Sequence, residues 1–330
     1  MLNWNNHPRY QLSILETAQE MAQVEELQRQ VWSGDDTEVV PAHMLLAAVH
    51  NGGLAVGAYD LGEPAKSGVA DSADEVKKSI SHVVIPAGVP LVGFVFGFPG
   101  LVSTADGLRA KHCSHMMGVH PEHRDRGIGF ALKRAQWQMV RQQGLAQITW
   151  TYDPLLSRNA YLNIARLGAV CNTYLRDVYG SLRDDLNVGL PSDRFQVDWW
   201  TNSRRVTHRL SKAPRGRLDL AHYLAAETGI INPTVMRSDG WPAPAPGDPD
   251  EQIANTGIVV ENTPLWLVEI PADFWRLKSA APSLAQEWRA HSRALFERLF
   301  ERGYLVTDFI HLPGTYGRSF YVLTYGESTL

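Results

Sequence analysis

The chain has 330 residues, enough for a sizeable core and for two domains. Its 44% hydrophobic and 20% charged residues are those of an ordinary globular protein, and 31 basic against 35 acidic residues (net charge −4) with no basic block exclude nucleic acid as the main partner. No apolar run reaches membrane-span length, the N-terminus lacks a signal-peptide core, and Cys113 and Cys171 stand in no metal-ligand spacing, so the expectation is a cytoplasmic chain with no membrane partner and no metal.

Tyr10 to Leu15 reads as a first strand, and Thr17 with Glu20 forms a capping box for a helix whose inner face is Met21, Val24, Leu27 and Val31. Pro41 opens a second helix through Val49, and Leu54 to Tyr59 is the second strand. The composition then shifts: 62–78 is Gly, Pro, Ser, Ala, Asp and Lys, within a stretch, 61–90, expected to be an insertion with a short strand at 81–85. Leu91 to Phe98 alternates Val92, Phe94, Phe96 and Phe98 against Gly93 and Gly97, a bare face that invites close approach by another element. A loop is expected over 100–107.

Lys111 to Val119 is the fourth strand, with Cys113, His115, Met117 and Val119 on one face and His112, Ser114, Met116 and Gly118 on the other. Pro121 ends it. Past Gly127 the period becomes helical, with Ile128, Leu132, Ala135 and Met139 on one side and Gly144 as the left-handed stop. Gly127 and Gly129 keep side chains off the first turn of that helix, whose amides lack internal partners and carry the positive end of the macrodipole. Such a turn suits a phosphate or diphosphate, with Arg124 and Arg126 beside it for charge-assisted contacts. The glycine spacing is not that of a dinucleotide fold, and no Gly-Lys-Ser/Thr of a Walker loop follows.

Gln147 to Tyr152 is the next strand, ended by Asp153-Pro154, and a helix over 156–167 closes at Gly168. Val170 to Tyr179 and Phe195 to Thr201 are strands; in the second, Trp199 and Trp200 must face opposite ways. Asn202 or Ser203 caps a helix through Leu210. The pattern loosens from 212, with a proline-rich arm after Trp241. Leu265 to Ile270 is a strand, Ser283 with Gln286 reads as a capping box for a helix presenting Leu284, Trp288, Leu295 and Leu299, and strands at 305–312 and 320–325 follow. The expected organisation is a first domain over 1–210, a linker or covering arm over 211–256, and a β-α-β-β half-domain over 257–330.

The run Val119-x-Pro121-x-x-Arg124-x-x-Gly127-x-Gly129, between a strand and an amphipathic helix, resembles the acyl-CoA-binding motif of the GNAT superfamily of N-acyltransferases. The resemblance implies an α+β fold: a central twisted mixed sheet flanked by helices, here with a C-terminal β-α-β-β extension. It implies acetyl-CoA or another acyl-CoA as the donor, its diphosphate held by Arg124, Asp125, Arg126, Gly127, Ile128, Gly129 and Phe130, and its pantetheine arm paired with Met117, Gly118 and Val119. Asn159, Ala160, Leu167, Gly168 and Ala169 resemble the family's following helix, which adds Asn159 to the cofactor contacts. The family's common tyrosine, four residues before the glycine, is Ile164 here; Tyr161 stands one turn earlier.

Acyl transfer to an amine needs a base, an oxyanion donor and an acid for the thiolate. A main-chain N–H near Val119 is the implied donor, and Tyr161 is the candidate acid. His115 is the first candidate base, since its reference pKa lies near the working pH, although a histidine between Cys113 and Met117 also reads as a core residue. Asp153 is the second candidate, with helix capping as its other reading. The whole-chain arrangement is similar to a GNAT subgroup linked to N-acylamino acid metabolism, some of whose members transfer succinyl groups. The expected acceptor is therefore a small amine or amino acid, with Arg158, Arg166 and Arg176 as candidate partners for a carboxylate. A homodimer stays open. The alternatives are a non-catalytic acyl-CoA sensor, motivated by Ile164, and a protein-modifying N-acetyltransferase.

Overall fold

The computed structural model describes residues 10–32, 38–62, 83, 85–180, 189–211, 218–255, 265–314 and 317–326. Most of the insertion expected over 61–90, with its short strand, lies outside the described residues. Two compact units divide the chain, Met1–Ile148 and Thr149–Leu330.

In the first unit β1 (Tyr10–Ile14) leads into α1 (Ala18–Val31) and α2 (Ala42–His50), then β2 (Leu54–Asp60), β3 (Leu91–Thr104), β4 (Gly107–Val119) and α3 (Ile128–Gln142). The capping box at Thr17 and Glu20 forms, and both its reciprocal bonds are present. The four strands run β1-β2-β3-β4, antiparallel throughout. Phe94 and Phe96 on one face share a core with Met21, Val24 and Leu27 of α1 and Leu45 of α2. On the other face, a Cβ at Gly93 would come within 3.0 Å of Ile128 Cγ2, so the bare strand face admits α3 against the sheet.

No loop separates β3 from β4. The pair continues beyond the core to Thr104↔Gly107, leaving a tight turn at Ala105-Asp106. Its tip carries exposed apolar and polar residues in no clear alternation, Leu101 and Leu108 among them, so hydrophobic patterning gives no sign of the ladder.

Strand β5 (Gln147–Tyr152) begins in the last two residues of the first unit, and the second unit's other strands are β6 (Val170–Leu175), β7 (Arg194–Trp200), β8 (Gly229–Ile230), β9 (Val235–Met236), β10 (Pro242–Ala243), β11 (Leu265–Pro271), β12 (Tyr304–Leu312) and β13 (Arg318–Tyr325). Its helices are α4 (Ser157–Ala160), α5 (Arg204–Arg209), α6 (Leu220–Ala225), α7 (Pro249–Asn255), α8 (Phe274–Ala280) and α9 (Pro282–Glu301). The order β5-β7-β6-β12-β13-β11-β8 is one mixed sheet, with β8 parallel to β11, and β9 and β10 form a separate pair. Val306 opposite Cys171 joins β12 to β6, so the C-terminal β-α-β-β segment extends this sheet. The face of α9 buries Leu284, Trp288, Leu295 and Leu299 as its spacing predicts.

Two local expectations change. The helix α9 begins at Pro282, with Ala281 as its N-cap and no side-chain cap, so the Ser283–Gln286 box does not form; proline's fixed φ pre-organises the first helical position. The segment expected as one helix over 156–167 is α4 followed by a π-helix over Tyr161–Arg166. Among the described residues no helix is long and apolar enough to cross a membrane.

Candidate functional site

The site builds from the end of β4. Pro121 to His123 form one 3-10 turn, and Asp125 and Gly127 both take left-handed backbone, at φ 63° and 83°. Gly127 adopts it without strain and serves as the N-cap of α3, with no side chain capping the helix. The first helical bond is Ala131 N–H to Gly127 C=O (3.1 Å), so the amides of 128–130 precede it. Gly127 is exposed and Gly129 half-buried. A helix start with no side-chain cap, behind an exposed Gly127, puts the positive end of a 15-residue helix where a diphosphate fits.

Two arginines frame the turn. Arg124 donates from Nε to the Val119 carbonyl (3.2 Å) and from a terminal nitrogen to Val31 C=O (3.4 Å), which ties the turn to β4 and α1. Arg126 donates to the Tyr10 hydroxyl at 3.2 Å. Both remain exposed, with donors to spare for an anion.

The strand behind the turn departs from simple alternation. Phe96 pairs with Met116 and Gly97 with Ser114, so His115 is the extra residue of a β-bulge. A bulge re-phases every residue before it. Met117 and Val119 share the α3 face with His112 and Ser114, whereas Gly118, Met116 and Cys113 share the phenylalanine face. His115 leaves the face of Met117 and Val119 on which its spacing put it, and its ring lies 5.6 Å from that of Phe98 and 6.2 Å from that of Phe96. Partial desolvation there lowers its pKa below the ordinary histidine value and so favours the neutral ring.

The re-phasing also creates a buried polar group that the sequence pattern misses. Lys133 Nζ donates to Ser114 Oγ (2.7 Å) and Gln136 Oε1 (3.1 Å), Ser114 Oγ donates to the same oxygen (2.9 Å), and Gln136 Nε2 lies 3.1 Å from His112 Nε2. Burial lowers Lys133 to about 7 and His112 to about 3. Helical periodicity gives Lys133 a solvent position, and no signal in the chain marks it as buried.

In the second unit, Asp153 does not present an open carboxylate. Arg289 donates to both its oxygens, at 3.0 and 2.5 Å, and Asp153 Oδ1 also accepts from Leu155 N–H (2.9 Å), with both side chains buried. Arg176 is likewise engaged, in a bidentate pair with Glu297 at 2.6 Å for each bond. Ile164 is fully buried, while Tyr161 is half-buried at the start of the π-helix, where the wider turn breaks the α-helical i, i+3 relation between them. Asn159 is half-buried on α4; Arg158 is exposed and Arg166 half-buried.

No protein-family model and no curated protein matches the chain. Among solved structures, it is similar to Arabidopsis thaliana NAA60 in complex with acetyl-CoA, at 14% identity over 59% of this chain and 100% of that one, TM-score 0.40. It is also similar to the ribosomal-protein-S18-alanine N-acetyltransferase from Escherichia coli, at 12% identity over 59% of this chain and 96% of that one, TM-score 0.36. A third is an aminoglycoside 6'-acetyltransferase type Ii, at 15% identity over 59% of this chain and 99% of that one, TM-score 0.39.

Proposed function

We propose that the chain is an acyl-CoA-dependent N-acyltransferase of GNAT type that moves an acetyl or succinyl group from coenzyme A to the amino group of a small amine or amino acid. The observation that carries this is the start of α3 without a side-chain cap behind the exposed Gly127, set in the run Val119-x-Pro121-x-x-Arg124-x-x-Gly127-x-Gly129. Amides of Ile128, Gly129 and Phe130 bind the diphosphate, Arg124 and Arg126 neutralise it, and Asp125 contributes its left-handed backbone rather than its carboxylate. The main chain of Met117 to Val119 pairs with the pantetheine arm.

In the reaction the amine nitrogen attacks the thioester carbonyl, and the C–S bond breaks. A main-chain N–H near Val119 stabilises the charge on the carbonyl oxygen. His115, whose neutral form is favoured by partial desolvation, takes the amine proton. Asp153 is set aside as a base, since a carboxylate held in a buried pair by Arg289 has no lone pair to offer a substrate cheaply. Tyr161 keeps its assignment as the acid from the sequence, and Asn159 its place among the coenzyme A contacts. Arg176 is set aside as a carboxylate partner because Glu297 holds it.

Thiol release from acetyl-CoA and succinyl-CoA against a panel of amines, amino acids and peptides tests the proposal. Turnover on free amino acids and not on peptides supports it. Coenzyme A binding with no turnover on any acceptor favours a sensor instead, a second reading to which the buried Ile164 in the tyrosine's place gives weight.

A further inference from the structure

The short turn His120-Pro121-Glu122-His123 precedes the glycine turn and has a chemistry of its own. A 3-10 turn has three residues per revolution, so positions i and i+3 eclipse. His120 and His123 hold that relation, and their ring centroids lie 5.6 Å apart. Glu122 projects from the same turn and is exposed. One ligand atom from each of the three lies within 4.8 Å of the other two, and no other such group of histidine, cysteine or acidic side chains occurs among the described residues.

The surroundings prepare the second histidine. His123 Nδ1 lies 3.2 Å from the Tyr10 hydroxyl and 3.6 Å from Asp60 Oδ2. Asp60 is itself fixed by the Gly62 N–H at 2.9 Å. A carboxylate and a hydroxyl at one ring nitrogen orient an imidazole and leave its other nitrogen for an ion. His120 Nδ1 accepts only a long bond, 3.3 Å, from the Glu122 N–H, so its ring turns at small cost. Zinc–ligand lengths of about 2.1 Å place tetrahedral ligand atoms roughly 3.4 Å apart, a closure that calls for rotation of the exposed Glu122 and of the loosely held His120 ring.

We propose that His120, Glu122 and His123 form a three-ligand site for a borderline divalent transition ion, Zn2+ foremost, with a fourth position open to water or an incoming ligand. Two imidazole nitrogens and one carboxylate are a zinc donor set and suit neither Mg2+ nor Ca2+, which require more oxygens. Glu122 and Asp60 supply the negative charge. Arg126, whose guanidinium reaches the Tyr10 hydroxyl at 3.2 Å, is the opposing cation. The site stands independently of acyl transfer, because its test needs neither coenzyme A nor turnover.

Isothermal titration of the full, chelator-treated chain with ZnCl2 at neutral pH tests it. One ion per chain at micromolar affinity or tighter is expected, with no heat from MgCl2. The paired change His120→Ala with His123→Ala should weaken binding at least about a hundredfold, Glu122→Gln and Asp60→Asn each by about tenfold, and His50→Ala not at all. Circular dichroism checks that each variant is folded. Co2+ should give the visible spectrum of a four-coordinate ion, reduced in Glu122→Gln, which keeps a readout if the double variant does not fold. Wild-type binding only at millimolar zinc, or equal affinity in wild type and Glu122→Gln, overturns the proposal.

Discussion

Two strand-to-helix corners of this chain are built on opposite plans. At the end of β4 the chain passes through left-handed residues at 125 and 127 into α3, with no side chain capping the helix and the turn exposed. At the end of β5, in the second unit, the carboxylate and carbonyls of the corner are taken up from within. Arg289 grips Asp153, Tyr321 donates to the Pro154 carbonyl (2.7 Å), and Ser157 donates to Pro271 C=O (2.9 Å). The first corner has no side-chain cap and a turn open to solvent. The second spends a charged pair and two hydroxyls on tying the end of β5 to α9 and β13, and α4 to β11. The contrast teaches that a carboxylate at a strand end is no base until its partners are counted.

The largest effect should come from the closed corner. Asp153→Ala leaves Arg289 buried without its partner and should cost about 3–5 kcal/mol of stability, read as a fall in the denaturant midpoint. If Asp153→Asn instead kept the midpoint and removed turnover, the corner would be catalytic and the comparison would fail.

The open corner answers next. Gly129 is a helical residue at the second position of α3, so Gly129→Leu should fold normally while filling the space above the amides. Coenzyme A affinity should drop roughly a hundredfold, ~2.7 kcal/mol, by titration calorimetry. Unchanged affinity would move the ligand elsewhere.

His115 sharpens the same side. His115→Gln should lower kcat at least about tenfold, with KM for the acyl donor little changed. In the wild type, partial desolvation moves the acid limb of the rate profile below the ordinary histidine pKa; the variant should lose that limb. A variant with full kcat leaves proton removal to water.

A further effect is a pH dependence. Lys133 titrates at about 7 when folded, against 10.5 as the ordinary value, so between those values the unfolded chain binds one proton more and stability rises with pH. The slope approaches about 1.4 kcal/mol per pH unit at most, and below pH 7 it vanishes, because both states are then charged. Lys133→Met should flatten the rise between pH 7 and 9 in urea titrations. A wild-type curve as flat as the variant's would show that the amine stays charged inside the fold.

Much of the open corner was legible because its causes are local. The change of period at Gly127, the proline that stops the strand and the capping box at Thr17 each lie within a few residues of their effect. The bare face of β3 was equally readable, since glycines at 93 and 97 announce a close approach whichever element makes it. Other readings were less secure: the Ser-x-x-Gln signature placed a capping box of α9 at Ser283, and hydrophobic patterning left the β3–β4 ladder beyond Phe98 unseen.

By itself, then, the sequence determined the main strands and helices of the first unit, the long helix and strands near the C-terminus, and a turn whose chemistry depends only on what glycine lacks. Tertiary structure alone decided which way His115 points, since one inserted residue in a ladder reverses a strand's faces and only the partner strand reveals it. It also decided that Asp153 belongs to Arg289, 136 residues away, and that Lys133 lies inside. Those outcomes rest on desolvation and on partners distant along the chain, and neither quantity exists until the chain has folded.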